Sequence, residues 1–503
     1  MGISPIISMP CSFAIEVILS IAETVNASYK SEDLETPLFI SMIDVEKLLD
    51  GNSDLYKTIE KYDDIKQYKV YLIIPMFLLA KNEKILKMAN RRDRIISSNR
   101  RREMYIMRLI PRNSYMEKTI NVIGTPDIKV ITGVRRCGKS KLLESFKKFI
   151  DENIQDANII HINFNLPEYE ELLTFRALYE HINSLYKENM QNFVLIDEVQ
   201  MCEDFEKAIN GLHASEKYDI YITGSNAFLL SSDLATLFTG RTFEIKVFPF
   251  SFKEYVRYFD LSDRYEALSS YIKEGGMAGS YLYKDSEAKY DYIADVFDTL
   301  IVRDIRQKYK IRNTQLMDRI VDFLMDNISN LSSARNITNV LGSMNEKIHH
   351  TTVGSYMQYL CNAFAFYKIR RYDIKGKKYL SSNDKYYLSD HTFRYAKLGT
   401  RNMDYGRILE NIVAIELLRR GYEVYVGVLY KKEIDFVAIK RSEKIYIQVS
   451  DNISDDKTFE REVSPLLQIK DAYPKMLIAR TRNDEYQYEG IKIVDLADWL
   501  LEA

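Results

Sequence analysis

The sequence predicts a multidomain α/β chain: a parallel sheet with flanking helices, followed by further helices and strands. Three observations predict it. From Asp127 onward, short apolar runs of strand length alternate with stretches of helical spacing. One strand–helix junction carries the glycine-bearing turn Gly133-Val-Arg-Arg-Cys-Gly-Lys-Ser140. A second apolar run, Asn192-Phe-Val-Leu-Ile-Asp197-Glu198, ends in two acids. At 503 residues, the chain holds about three or four domains, each large enough for its own core.

The first strand is Asp127–Thr132, and the helix after the turn covers Lys141–Ile150. The turn fits G-x-x-x-x-G-K-[ST] at every fixed position, the pattern of a phosphate-binding loop. Its glycines, Gly133 and Gly138, let successive N–H groups point inward at phosphate oxygens. Lys139 reaches the β- and γ-phosphates and Ser140 offers a hydroxyl to Mg²⁺. The following helix presents its positive end to the anion. Arg135, Arg136, Cys137 and Lys141 complete the cofactor-binding stretch. In the second run, a carboxylate is tolerated only at the mouth of a buried strand, where a hydrated cation neutralises it. Asp197 is expected to hold that magnesium and Glu198 to orient the attacking water.

Asn158–Asn165 reads as a further strand between loop and acids. Tyr218-Asp-Ile-Tyr-Ile-Thr-Gly224-Ser225-Asn226 reads as another after them, ending in small polar residues. A strand between loop and acids in sequence, together with a glutamate placed as Glu198 is, points to the additional-strand class of P-loop proteins. Ser225 and Asn226 are then candidates to sense the γ-phosphate or the attacking water.

These residues carry a resemblance. The GVRRCGKS loop, the LIDEVQ strand and ITGSNAFLL resemble prokaryotic AAA-type ATPases with a C-terminal domain of unknown function. Leu237-Phe-Thr-Gly240-Arg241 and Val247-Phe-Pro-Phe-Ser-Phe-Lys-Glu254 extend the likeness, which covers roughly Met104 to the C-terminus. The resemblance implies that Arg241 contacts the γ-phosphate, in cis or across subunits. One departure is visible. The family's Gly-Gly-aromatic-Pro turn stands here as Gly275-Gly276-Met277-Ala278, without its proline.

Composition narrows the setting. The chain is 46% apolar and 28% charged, with a net charge of −2, so no global field draws it onto nucleic acid or anionic lipid. Its four cysteines (Cys11, Cys137, Cys202 and Cys361) form no C-x-x-C pair, the usage of a reducing cytoplasm. Cys137 lies inside the loop, where amides and basic side chains could lower a thiol pKa; a small filler is the plainer reading. Ile6–Ile21 carries Glu16 and lacks a basic flank, unlike a signal peptide. Val70–Ala80 is too short to cross a bilayer. Nine Lys/Arg against two acids between Lys81 and Arg102 read as a basic linker.

After the core, Tyr292–Ile305 reads as a connecting helix. Helices at Leu316–Ile328, Ser333–Leu341 and Thr351–Phe364, then strands Phe366–Tyr372 and Lys385–Leu388, form a winged-helix pattern. From Gln315 to Thr400 there are twelve Lys/Arg against seven acids, a mildly basic surface. The third helix offers Ser355, Gln358 and Tyr359 outward and no arginine, so base reading is poorly served. Further on, a helix from Gly406 to Arg420 carries Glu410, and strands at 423–428, 432–437 and 444–450 follow. That order resembles restriction-endonuclease-like folds, whose Mg²⁺ is held by two acids beside a lysine. Here Glu410 and Asp435 remain, but Gln448 and Ser450 stand at the acid and lysine positions, so the nuclease centre reads as degenerate.

The expected fold is therefore an α/β P-loop parallel-sheet ATPase core, then a winged-helix module and an α/β nuclease-like domain. The expected divisions are 1–103 (extension and basic linker), 104–260 (core), 261–314 (helical connector), 315–400 and 401–503. The expected function is Mg²⁺-dependent ATP binding and hydrolysis in the cytoplasm, with DNA or a second copy as candidate partners and no membrane. A nucleotide-gated switch with little turnover is the alternative, and a DNA-binding protein with a vestigial nuclease fold is another.

Overall fold

The computed structural model describes residues 38–43, 70–75, 110–224, 238, 240–342, 348–379, 383–400 and 404–502. The chain divides into two units, Met1–Ile106 and Met107–Ala503. In the first, strand β1 (Leu38–Ile43) pairs antiparallel with β2 (Val70–Pro75). The basic run from Lys81 to Arg102 lies outside the described residues.

The second unit opens with helix α1 (Asn113–Ile120) and strand β3 (Ile128–Thr132). Every residue of β3 is buried, the signature of a parallel strand covered on both faces. There follow α2 (Lys139–Asn153), β4 (Ala157–Asn163), α3 (Phe175–Ser184), β5 (Gln191–Asp197), α4 (Phe205–Ala214), β6 (Tyr218–Thr223) and β7 (Thr242–Lys246). The sheet order is β4-β5-β6-β3-β7, with every pairing parallel. β6 therefore lies between the loop strand β3 and the acid strand β5. β4, the strand that stands between loop and acids in sequence, takes the edge of the sheet, and a crevice opens where β3, β5 and β6 end together.

Next come α5 (Phe252–Phe259), α6 (Arg264–Glu274) and α7 (Ser286–Thr299). Ser251 and Glu254 close a capping box that fixes the start of α5. The helix expected at Tyr292–Ile305 differs in kind. It is α-helical through α7 and becomes π-helical over Leu300–Gln307.

Then come α8 (Thr314–Asp326), β8 (Leu331–Ser332), α9 (Ala334–Gly342), α10 (His350–Asn362), β9 (Phe366–Asp373), β10 (Lys378–Tyr379), β11 (Asp384–Leu388), α11 (Thr392–Leu398) and α12 (Tyr405–Arg419). Strands β12 (Glu423–Leu429), β13 (Lys432–Lys440) and β14 (Glu443–Ser450) follow. The chain closes with α13 (Asp456–Leu467), β15 (Lys475–Ala479), β16 (Tyr486–Tyr488), β17 (Ile491–Asp495) and α14 (Leu496–Leu501). The expected helices and hairpin are present as elements, but one ten-stranded sheet runs across the boundary expected at 400. β9 pairs antiparallel with β11 on one side and parallel with β12 on the other. A lone hairpin would leave the outer edge of β9 with unpaired N–H and C=O groups, and β12 covers that edge.

Among the described residues, no helix is long and apolar enough to cross a membrane.

Candidate functional site

The chain leaves β3 at Gly133 with φ 144, a backbone only glycine adopts readily. A Cβ there would stand 2.0 Å from the Val247 carbonyl oxygen, so the loop can pass beneath the strand exit only without a side chain. Lys139 begins α2 and is buried. Its Nζ donates to the carbonyls of Gly133 (2.9 Å) and Val134 (3.2 Å), which hold the ammonium over the loop. Next to it, the Ser140 side chain is close enough to the Asp197 carboxylate to favour its charged form. Burial pushes that carboxyl up, and Thr223 and Ser140 partly pull it back.

Thr223, at the end of β6, ties the two acids together. Its hydroxyl donates to Asp197 and accepts from the Glu198 N–H at 3.1 Å. Glu198 itself has φ 58, a left-handed turn, and its carboxylate accepts from Gln200 Nε2 at 2.6 Å. Lys139, Ser140, Asp197 and Glu198 are thus brought to one point, although they come from two segments. Ser225 and Asn226, the candidate sensors, lie outside the described residues.

Beside this point lies a cavity of about 410 Å³, within the range of small-ligand sites. The loop and Glu198 give it polar lining, and Ile110, Met116, Phe250, Ala278 and Tyr292 give it apolar lining. The double glycine after α6 packs against Phe250. The Phe250 N–H donates to the Gly276 carbonyl at 2.8 Å, and a Cβ on Gly276 would meet the Phe250 oxygen at 2.3 Å.

Arg112, just before α1, was not singled out by sequence and proves central. Its guanidinium is buried between the rings of Tyr115 (4.4 Å) and Phe250 (5.1 Å). It donates to the loop carbonyl of Cys137 and to the Phe248 carbonyl, each at 2.9 Å. It also clasps both oxygens of Glu254 at 2.7 and 2.9 Å. Burial pushes the Glu254 carboxyl up, but the Arg112 charge and bonds outweigh it and hold the group below its ordinary range. The loop cysteine behaves opposite to the lowered thiol weighed from sequence. Burial pushes Cys137 up, beyond what Lys139 and Arg112 offset, and its Sγ faces the Val247 carbonyl at 3.3 Å. Cys137 is a packed filler.

Comparison with known proteins agrees with this geometry. An AAA domain is recognised over residues 125–256, and a domain of unknown function, DUF8612, over 265–404. An uncharacterized protein of Haemophilus influenzae is 38% identical over 400 residues, covering 78% of this chain and 99% of its own. The uncharacterized protein MJ1544 of Methanocaldococcus jannaschii is 30% identical over 357 residues, covering 67% of this chain and 77% of its own. The chain belongs to this AAA-type P-loop family. Among solved structures, the Walker-type ATPase PABY2304 of Pyrococcus abyssi aligns at 15% identity, covering 57% of this chain and 95% of that one, with a TM-score of 0.40.

In this AAA-type protein, Arg241 does not line the cavity. It precedes β7, and its carbonyl accepts from the Ile128 N–H at 2.9 Å, at the start of β3. The loop leaves from the other end of that strand, about 13 Å away at strand rise. The in-cis role expected of Arg241 is therefore not met; the side chain is exposed at the opposite end of the sheet. Arg135 and Arg136 lie along the cavity and also lean on α7 and the π-helical segment after it. Arg135 stands 3.6 Å from Asp304, and Arg136 lies 5.2 Å over the Tyr292 ring. Lys141 pairs with Glu144 at 2.6 Å on the exposed face of α2, at the cavity rim.

The nuclease-like residues also converge, around an unexpected cation. Glu410 of α12 accepts from Lys385 Nζ (2.8 Å) and from the Tyr387 hydroxyl (2.6 Å). Lys385 lies 2.6 Å from Glu433 and 4.0 Å from Asp435, and is only 3% exposed. Asp435 accepts from the Val449 N–H at 2.8 Å. Gln448 donates to Glu462 at 2.9 Å, while Ser450 turns to the Asn452 carbonyl at 3.2 Å. The ammonium beside these acids comes from β11. Burial and the neighbouring Glu410 hold Asp435 well above the usual carboxylate range, and burial holds Glu410 above it as well. Among the described residues, no group of three or more His, Cys, Asp or Glu is arranged to hold a metal ion.

Proposed function

We propose that this protein binds ATP with Mg²⁺ at the loop and hydrolyses it. The observation that carries the reading is that Lys139, Ser140 and Glu198 line one cavity of nucleotide size, with the Asp197 carboxylate beside them. The Ser140 hydroxyl and Asp197 carboxylate lie close together, an oxygen donor pair that would suit a hard cation. When bound, the ion neutralises charge developing on the transferred phosphoryl group. Lys139 binds the β- and γ-phosphates once it exchanges the loop carbonyls for them. Glu198, its backbone fixed by Thr223, orients the attacking water and accepts its proton. The apolar lining takes the base.

Arg241 suits a contact made across subunits, because it is exposed at the end of the sheet farthest from its own loop; a homo-oligomer would complete the site. In this reading, turnover moves the C-terminal half against DNA or a protein partner. Its mildly basic 315–400 stretch favours testing DNA first. The division into core, connector, winged-helix-like and nuclease-like parts belongs to the same proposal.

The test is ATP turnover and calorimetric binding of wild type and Glu198→Gln, each with and without duplex and single-stranded DNA. Wild type should turn over, and the variant should bind without turning over. Equal turnover in both would remove Glu198 from the mechanism. Wild-type binding without turnover under every condition would favour the nucleotide-gated switch.

A further inference from the structure

We propose that Arg135 is a phosphate-operated latch: in the free protein it is docked on Asp304 of the π-helical segment, and nucleotide draws it off. The inference rests on the nucleotide reading above and adds to it a route by which the loop's state reaches the C-terminal half.

Two consecutive loop arginines lean on one continuous helix. Arg136 covers Tyr292 in α7, and Arg135 approaches Asp304 in Leu300–Gln307. The Arg135 contact is loose. At 3.6 Å it is longer than a charge-assisted hydrogen bond, and its buried Nε has no hydrogen-bond partner. A half-buried guanidinium with an unsatisfied Nε at the wall of an anion site is poised to change partners. A triphosphate on the loop offers it close anionic oxygens that Asp304 at this distance does not.

Asp304 is itself buried, only 2% exposed. Losing one cationic neighbour weakens the hold on its present position, because a buried carboxylate depends on nearby positive charge. The segment that holds it is the one most able to respond. π-Helical turns are rare, are less well bonded than α-turns, and recur at functional sites.

The far end of the segment is fastened to the next module. Arg306 pairs with Asp318 of α8. Tyr309 stacks on Tyr359 of α10, with centroids 3.6 Å apart and planes 9° apart, and its hydroxyl accepts from Asn362 at 3.1 Å. A shift at Asp304 is thereby passed to α8 and α10.

The test is hydrogen exchange by mass spectrometry on the full-length protein, free and with Mg²⁺ and a non-hydrolysable ATP analogue, for wild type and Asp304→Asn. In wild type, the analogue should protect 133–141 and raise exchange of 300–310 severalfold, with a smaller rise at 350–362. In Asp304→Asn, 300–310 should exchange fast already and not respond, while the analogue binds severalfold tighter. Arg135→Gln, which removes the latch from the loop side, should also uncouple 300–310 from nucleotide. It guards against a fold defect in the first variant. Protection at 133–141 with no change at 300–310 in wild type overturns the latch alone. A wild-type response in both variants overturns it too. No protection at 133–141 in wild type overturns the nucleotide reading and the latch with it.

Discussion

Replacing Lys385 by methionine keeps the length and packing of the side chain and removes its charge. The ammonium is 3% exposed and stands 2.8 Å from Glu410, 2.6 Å from Glu433 and 4.0 Å from Asp435. Removing one member of a buried ionic cluster costs about 3–5 kcal/mol, because the remaining charges are left uncompensated. In a unit spanning Met107–Ala503, that is a fall of roughly 4–6 °C in melting temperature. The pH dependence identifies the cause. Glu410 and Asp435 already sit above the ordinary carboxylate range, burial being the largest reason, and without Lys385 both rise further. A carboxyl raised in the folded state binds more protons than in the unfolded chain. Stability therefore falls as pH rises from its ordinary pKa through its raised one. The deficit of the variant should accordingly be small near pH 5 and largest near pH 8. Thermal and urea unfolding of both proteins at the two pH values measures it. A Lys385→Met, Glu410→Gln double variant should recover part of the loss, since the two residues are coupled. A deficit under about 1 kcal/mol at pH 8, or one that does not change with pH, would refute the claim that Lys385 neutralises these carboxylates.

Three further outcomes are expected. Gly133→Ala puts a Cβ 2.0 Å from the Val247 oxygen at φ 144, so the loop should shift and calorimetric nucleotide binding should be lost; retained affinity would show that the strand exit can yield. Arg112→Leu strands the buried Glu254 and should cost about 3–5 kcal/mol in urea unfolding. Because Arg112 depresses that carboxyl, the pair's contribution is present above the ordinary glutamate range and lost as pH falls, so the deficit should shrink in acid. Arg241→Ala should slow turnover about tenfold or more while leaving nucleotide affinity nearly unchanged, as expected of an arginine acting at the developing charge; wild-type turnover would leave it a surface residue.

The nucleotide end of the site was legible because phosphate chemistry is local. Gly133 through Ser140 must be contiguous to wrap an anion, and Asp197 and Glu198 must end an apolar strand. The elements on either side also fell near their expected places, since strand and helix periodicity are local signals. Arg112 gave no such signal. Its partner Glu254 is 142 residues away, and a lone arginine before a helix looks like any solvated residue. Thr223 was similarly inconspicuous, as its role depends on β6 lying between β3 and β5.

What the sequence determined by itself was therefore the chemistry of short segments: a phosphate loop, a pair of acids, a helix bearing Glu410, and the neutral side chains of Gln448 and Ser450 on a later strand. What only the tertiary structure decided was which segments meet. It put Arg241 at the far end of the sheet from its own loop and set Arg135 against Asp304. It also joined β9 to β12 across an expected boundary and brought Lys385 from β11 to the acids of the C-terminal sheet. Motifs are fixed by the reach of a few residues of backbone. Long-range partners are fixed by sheet order and buried charge, which no short window of sequence contains.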